Sequence, residues 1–135
     1  MPEPSPQATV YRTIAERRSI RRYRPDEVSA AILQRLLTAA TAAPSSHNRQ
    51  PWRFMVLREA AAKVALATAM GQRLREDRTR DGDPSAAIEP DVARSRARIT
   101  GAPVVLVVCL TLEEMDVYPD AARNQAEFLM AVQST

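Results

Sequence analysis

The chain has 135 residues, 45% hydrophobic and 26% charged, which is enough for one globular domain with a modest core and too little for a second. Its formal net charge of +3 is almost wholly arginine in origin, Lys63 being the only lysine, and only 4% of residues are aromatic; arginines spread among Asp and Glu suit one bound phosphate better than a nucleic-acid track. A single cysteine, Cys109, excludes an internal disulfide, a single histidine, His47, excludes a structural zinc cluster, and no run approaches the roughly 20 apolar residues of a spanning helix.

In chain order, residues 1–8 include Pro2, Pro4 and Pro6 and lack a basic-then-apolar signal pattern, so a flexible leader is expected, with the cytoplasm as default location. Residues 9–17 place Val10, Tyr11 and Ile14 on one side of a helix and Arg12 and Glu16 on the other. That helix runs into Arg18, Ser19, Ile20, Arg21, Arg22, Tyr23 and Arg24. Pro25 disfavours helix at Arg24, so a dense cationic turn is expected there. Ser29 is a candidate N-cap for a helix over 30–42, with Ile32, Leu33, Leu36, Leu37 and Ala40 at helical spacing and Pro44 closing it.

Residues 43–54 set hydroxyls, amides and a cation between Pro44 and Pro51, the pattern of an ordered polar loop. Trp52, Phe54 and Val56 then alternate with Arg53, Met55 and Leu57, which predicts a strand over 52–57 with a buried face. An alanine-rich helix follows over 59–78, with Leu66, Met70 and Leu74 as its i, i+4 stripe and Gly71 as the place where it would bend or break. Asp81, Gly82, Asp83 and Pro84 read as a turn. A further helix is expected over 90–99, with Pro90 in its first turn, where a missing N–H costs nothing. After Gly101, Ala102 and Pro103, the unbroken apolar run 104–110 predicts a strand covered on both faces at the centre of a sheet, with Cys109 a buried structural thiol. Asp120 can cap a last helix over 121–135, with Ala122, Ala126, Leu129, Met130 and Gln133 along one side. There is no internal repeat, low-complexity linker, G-x-G-x-x-G or P-loop pattern.

Two segments carry chemistry. Arg17, Arg18, Ser19 and Arg21 lie within one turn and can offer forked, charge-assisted bonds to phosphate oxygens; on the residues alone, solvated arginines complementing a helix C-terminus fit as well. Ser45, Ser46 and Asn48 are short donors and acceptors that either close turns locally or reach a ligand. His47 invites a general-acid role, a solvent-side or interface histidine being the simpler reading.

Taken together, Arg17-Arg18-Ser19-Ile20-Arg21 and Pro44-Ser45-Ser46-His47-Asn48-Arg49-Gln50-Pro51-Trp52 resemble the nitroreductase family of FMN-dependent oxidoreductases. Its members carry R-[RH]-S-x-R near the N-terminus and P-S-S-x-N-x-Q-P-W further along. Either motif alone is weak, and the ordered pair is specific. The resemblance covers residues 9–135, and family members are longer. The chain is therefore expected to be the N-terminal part of a nitroreductase-like α+β domain, with helices packed around a central, mostly antiparallel sheet. About two strands and five helices would be present and the C-terminal part missing.

The resemblance implies FMN as cofactor and NAD(P)H as reductant. It implies ping-pong transfer of hydride to an electron-poor small molecule such as a nitroaromatic, quinone or enone. The family assembles as a homodimer with flavin sites shared between subunits, without nucleic-acid or membrane partners. By the same resemblance Arg17, Ser19 and Arg21 contact the phosphate and ribityl chain, with Arg18 at a position the family fills with Arg or His. Pro44, Ser45, Ser46 and Asn48 would contact FMN held mainly by the other subunit, with Gln50 and Trp52 in support. Arg75, in the stretch 70–78 from which the family contacts the ring edge, is the candidate for that role, against a solvated helix face. No catalytic acid or base and no metal are implied. Two alternatives stand beside this. Segments 70–82 and 118–123 are similar to the nitroreductase-like domain attached to gamma-glutamyl ligases of deazaflavin coenzyme biosynthesis, and an unfinished sheet would suit a non-catalytic, truncated subunit.

Overall fold

The computed structural model describes residues 6–113 and 115–135. In order come α1 (Pro6–Glu16), α2 (Ala30–Ala40), β1 (Trp52–Leu57), α3 (Ala60–Arg80), α4 (Ser85–Gly101), β2 (Val105–Leu110) and α5 (Ala121–Ser134), with a short 3-10 turn at Ser46–Asn48. Five helices and an antiparallel pair of strands are the α+β content the sequence predicts. Of the expected leader, residues 1–5 lie outside the described residues. Pro6 opens α1, a position where the missing N–H has no intrahelical partner to lose.

Two helix starts follow from local chemistry. Ser29 Oγ accepts the Ile32 N–H at 3.3 Å, and Asp120 Oδ1 accepts the Arg123 N–H at 2.9 Å. Helix α2 ends at Ala40 rather than 42, because its last turn tightens: Ala42 N–H donates to Ala39 O and Ala43 N–H to Ala40 O, each at 3.2 Å. The chain is extended just after Pro44, Ser45 having φ −136° and ψ 155°.

Helices α3 and α4 pack as a hairpin joined by the turn 81–84, where Gly82 takes φ 89°, a conformation other residues resist. The residues buried on α3 are Lys63, Ala67 and Gly71, and on α4 Ile88 and Val92. The stripe expected from Leu66, Met70 and Leu74 is thus not the packed one, and Met70 is 49% exposed. The small residues win because they admit close approach of the helices. A β-carbon built on Gly71 would lie 3.0 Å from Val92 Cγ1. Gly71 does not break α3, which runs unbroken through it. At the far end of the hairpin the buried Lys63 ammonium donates to the Ala102 carbonyl at 2.6 Å, placing a cation at the C-terminus of α4.

Helix α4 starts at Ser85, so Pro90 lies inside it and not in a first turn. Ile88 is 2% exposed, and Glu89 makes a forked pair with Arg75. These contacts with α3 draw 85–89 into the helix and outweigh the hydrogen bond that Pro90 cannot donate.

Strands β1 and β2 pair from Trp52 opposite Leu110 to Leu57 opposite Val105. Among the described residues β2 has a neighbour on one edge only, so the strand expected at the centre of a sheet is an edge strand. Val108 is 48% exposed and Cys109 half-buried rather than fully enclosed, because nothing in the described chain completes the cover over them. Leu33, Trp52 and Ala131 are buried on α2, β1 and α5, while Ile32, Leu36, Leu129 and Met130 stay exposed. No described helix is long and apolar enough to cross a membrane.

Candidate functional site

The polar loop hangs between α2 and β1. Asn48 N–H donates to Ser45 O and Arg49 N–H to Ser46 O, both at 3.0 Å. Gln50 N–H donates to Ser45 Oγ at 3.0 Å, and Gln50 Nε2 to Asn48 Oδ1 at 3.2 Å. The Ser45 hydroxyl and the Asn48 amide oxygen are therefore engaged inside the loop. The Ser46 hydroxyl and Asn48 Nδ2 make no hydrogen bond among the described residues. Ser45 and Ser46 are half-buried, and residues 47–50 are exposed.

The loop backbone is unusual. His47, Asn48 and Gln50 have φ of 47°, 54° and 50°, the left-handed region that side chains other than Asn and Gly avoid. The loop's exit is pinned where Thr111 N–H donates to Pro51 O at 2.9 Å. Its middle is tied to a distant residue: Arg49 Nη2 lies 2.6 Å from Asp116 Oδ1, and His47 Nε2 lies 3.8 Å from Asp116 Oδ2. Asp116 is the residue that reading the sequence missed. It sits 67 positions from Arg49 in a connection without periodicity or motif, so no local signal could have found it. Helix α5 packs against the turn, and Met130, Gln133 and Ser134 line a hollow of about 350 Å³ with Pro44, Ser45 and Ser46.

The arginine segment lies elsewhere. Arg18 Nη1 folds back onto the carbonyls of Ala15 at 2.8 Å and Arg17 at 2.9 Å, the helix-end role open to any arginine there. Arg17, Ser19 and Arg21 are exposed, and their side chains have no hydrogen bond or ion pair among the described residues. From Arg49 onward every arginine except Arg98 has such a partner. Among the described residues Arg12, Arg17, Arg18, Arg21, Arg22, Arg35, Arg53, Arg96 and Arg98 lack a carboxylate partner, and four of these nine fall within residues 17–22. Arg21 and Arg98 share a hollow of about 280 Å³ with Tyr23. Arg22, Arg24 and Arg98 rim a larger one of about 620 Å³, floored by Ile99, Pro103 and Leu106.

The structure therefore gathers Pro44, Ser45, Ser46, Asn48 and Gln50 on one loop and Arg17, Arg18, Ser19 and Arg21 on another segment. In a single chain Pro44, Ser45 and Ser46 line one hollow and Arg21 another. Arg75 stands apart from both, its Nε and Nη2 bonded to Glu89 at 2.7 and 2.9 Å. That hydrogen bond raises the Arg75 pKa and holds the Glu89 carboxyl below the usual carboxylate range. No group of three or more His, Cys, Asp or Glu side chains comes together to hold a metal among the described residues.

The family model described as Nitroreductase family matches residues 14–134. An NADH dehydrogenase of Thermus thermophilus is 39% identical over 99 residues, covering 73% of this chain and 37% of that protein. A Desulfovibrio desulfuricans protein described as a nitroreductase, solved in complex with FMN, is 27% identical; the match covers 98% of this chain and 60% of that one with a TM-score of 0.56. A nitroreductase family protein of Clostridium novyi NT, 18% identical, shares the fold over 92% of this chain and 59% of its own, with a TM-score of 0.59. The chain thus spans little more than a third of the Thermus protein and about three fifths of the two solved chains. With both motifs inside the matched span and the fold shared across nearly its whole length, this chain belongs to the nitroreductase family.

Proposed function

We propose that the protein is an FMN-dependent oxidoreductase that takes reducing equivalents from NAD(P)H and delivers them in ping-pong order to an electron-poor small molecule such as a nitroaromatic, quinone or enone. Bound FMN would supply the hydride-carrying ring. The observation that carries the reading is the cluster of donors at Arg17, Ser19 and Arg21, exposed and without a hydrogen bond or ion pair among the described residues. Such a set fits a phosphate, which needs fixed cations and a hydroxyl within reach.

In this reading Arg17, Ser19 and Arg21 hold the phosphate and ribityl chain, and Arg18, turned onto the end of α1, orients them. Ser46 and Asn48 keep donors free for the ring, while Ser45 and Gln50 hold the loop from within and Pro44 borders it. Because Ser45 and Ser46 line one hollow and Arg21 another, a homodimer that sets the loop of one protomer against the arginine segment of the other would supply the full set. Arg75 is the proposed ring-edge donor; its bonds to Glu89 use Nε and Nη2 and leave Nη1. These residues act by positioning and by excluding water more than by proton transfer.

The test is a visible spectrum of the protein incubated with FMN and dialysed. Retained flavin absorbance that bleaches with NADH or NADPH and returns on adding acceptor supports the reading. Arg17→Ala with Arg21→Ala is expected to weaken FMN about tenfold or more and riboflavin much less, since riboflavin lacks the phosphate that loses its partners. A preparation that stays colourless refutes the assignment.

A further inference from the structure

The loop bearing Ser45, Ser46, Asn48 and Gln50 holds a conformation its residue types do not favour. Arg49, at φ −69° and ψ −21°, is right-handed between left-handed Asn48 and Gln50. Left-handed backbone without glycine persists only where surrounding groups over-determine it. The bonds among residues 45–50 turn with the loop and cannot set its direction relative to the rest of the fold. Thr111 and Arg53 fix its exit, through Pro51 O at 2.9 Å and Gln50 O at 3.3 Å.

Among the described residues, the side-chain bond that reaches the middle of the loop from outside is Arg49 to Asp116, at 2.6 Å. The pair is partly shielded, with side chains 40% and 30% exposed. Holding the Arg49 guanidinium from across the fold limits how far the left-handed residues on either side of it can move. We propose that Asp116 is the positioning residue of this loop: it grips Arg49 from across the fold and thereby keeps Ser46 and Asn48 in binding geometry. Its second oxygen lies 3.8 Å from His47 Nε2, beyond hydrogen-bond reach. The functional half of this inference rests on the FMN reading, and the conformational half does not.

The experiment compares the full chain as wild type, Asp116→Asn, and Asp116→Asn with His47→Gly. Asparagine keeps the shape of Asp116 without its charge. Glycine at 47 removes a left-handed penalty without altering Ser46 or Asn48. FMN affinity is read by fluorescence quenching, and three-bond HN–Hα couplings of Asn48 and Gln50 report the backbone in flavin-free protein. Asp116→Asn is expected to weaken FMN about tenfold and to change both couplings; adding His47→Gly is expected to restore about fivefold of that loss and the native couplings. A merely stabilising ion pair would lower Tm and leave affinity and couplings in place, which would overturn the proposal. So would a loss that His47→Gly does not recover. Should the wild type bind no FMN, the FMN reading falls and the couplings decide alone: unchanged in Asp116→Asn they refute the clamp, changed and then restored they uphold it.

Discussion

The contact between Gly71 and Val92 makes a quantitative claim about the α3–α4 hairpin. In an isolated helix Gly→Ala stabilises by about 1 kcal/mol, through reduced unfolded-state freedom and better backbone shielding. Here the added methyl would sit 3.0 Å from Val92 Cγ1, on a β-branched side chain with little rotamer freedom to yield. Overpacking of that kind costs about 1–3 kcal/mol. The overpacking outweighs the propensity gain, so Gly71→Ala is expected to destabilise the chain by about 1 kcal/mol, or roughly 4 °C in Tm. Val92→Ala removes the methyl responsible and by itself costs about 2 kcal/mol, since Val92 is 5% exposed. In that background Gly71→Ala has room and should stabilise by about 1 kcal/mol. The coupling between the two sites is then about 2 kcal/mol, within the range of residues in direct contact. Urea unfolding followed by far-UV circular dichroism measures all four corners, with an unchanged m-value as the check that only stability has moved. If Gly71→Ala stabilises equally in both backgrounds, the close approach of the helices is refuted.

Two further outcomes follow from buried and capping carboxylates. Glu127 is 3% exposed and its Oε1 has no hydrogen-bond partner among the described residues, so Glu127→Gln, which keeps the shape without a carboxylate, should raise stability by about 1–2 kcal/mol in thermal melts; a lower Tm would refute the burial of an unpaired carboxylate. The Asp120 carboxyl is held below its ordinary value by the Arg123 backbone N–H first and the Arg123 guanidinium second. Its native value being the lower one, its contribution is fully present above about pH 4 and disappears as pH falls through that native value. The Tm advantage of wild type over Asp120→Asn, which retains a cap without charge, should therefore shrink on acidification, and a difference constant with pH would refute the role of the charge.

Much of the fold was legible because its signals are local. A cap needs only the three residues that follow it, so Ser29 and Asp120 could be named as helix starts without knowing what lies around them. Alternation over 52–57 marked β1, and the motif pair marked both polar segments with their residue types. The incompleteness of the sheet was legible as well, because the apolar run 104–110 asks for cover on both faces while the sequence offers one other strand to pair with it.

What sequence could not supply was every feature that depends on which surfaces meet. The choice of Ala67 and Gly71 over Leu66 and Met70 as the packed face, and the recruitment of 85–89 into α4, arise from two helices approaching closely, a property of neither alone. The same holds for the site. Ser46, Asn48, Arg17 and Arg21 were readable as donors, but the left-handed turn that presents the first two, the separation of the two segments within one chain, and the reach of Asp116 to Arg49 across 67 residues are set by packing distances that a one-dimensional pattern does not encode.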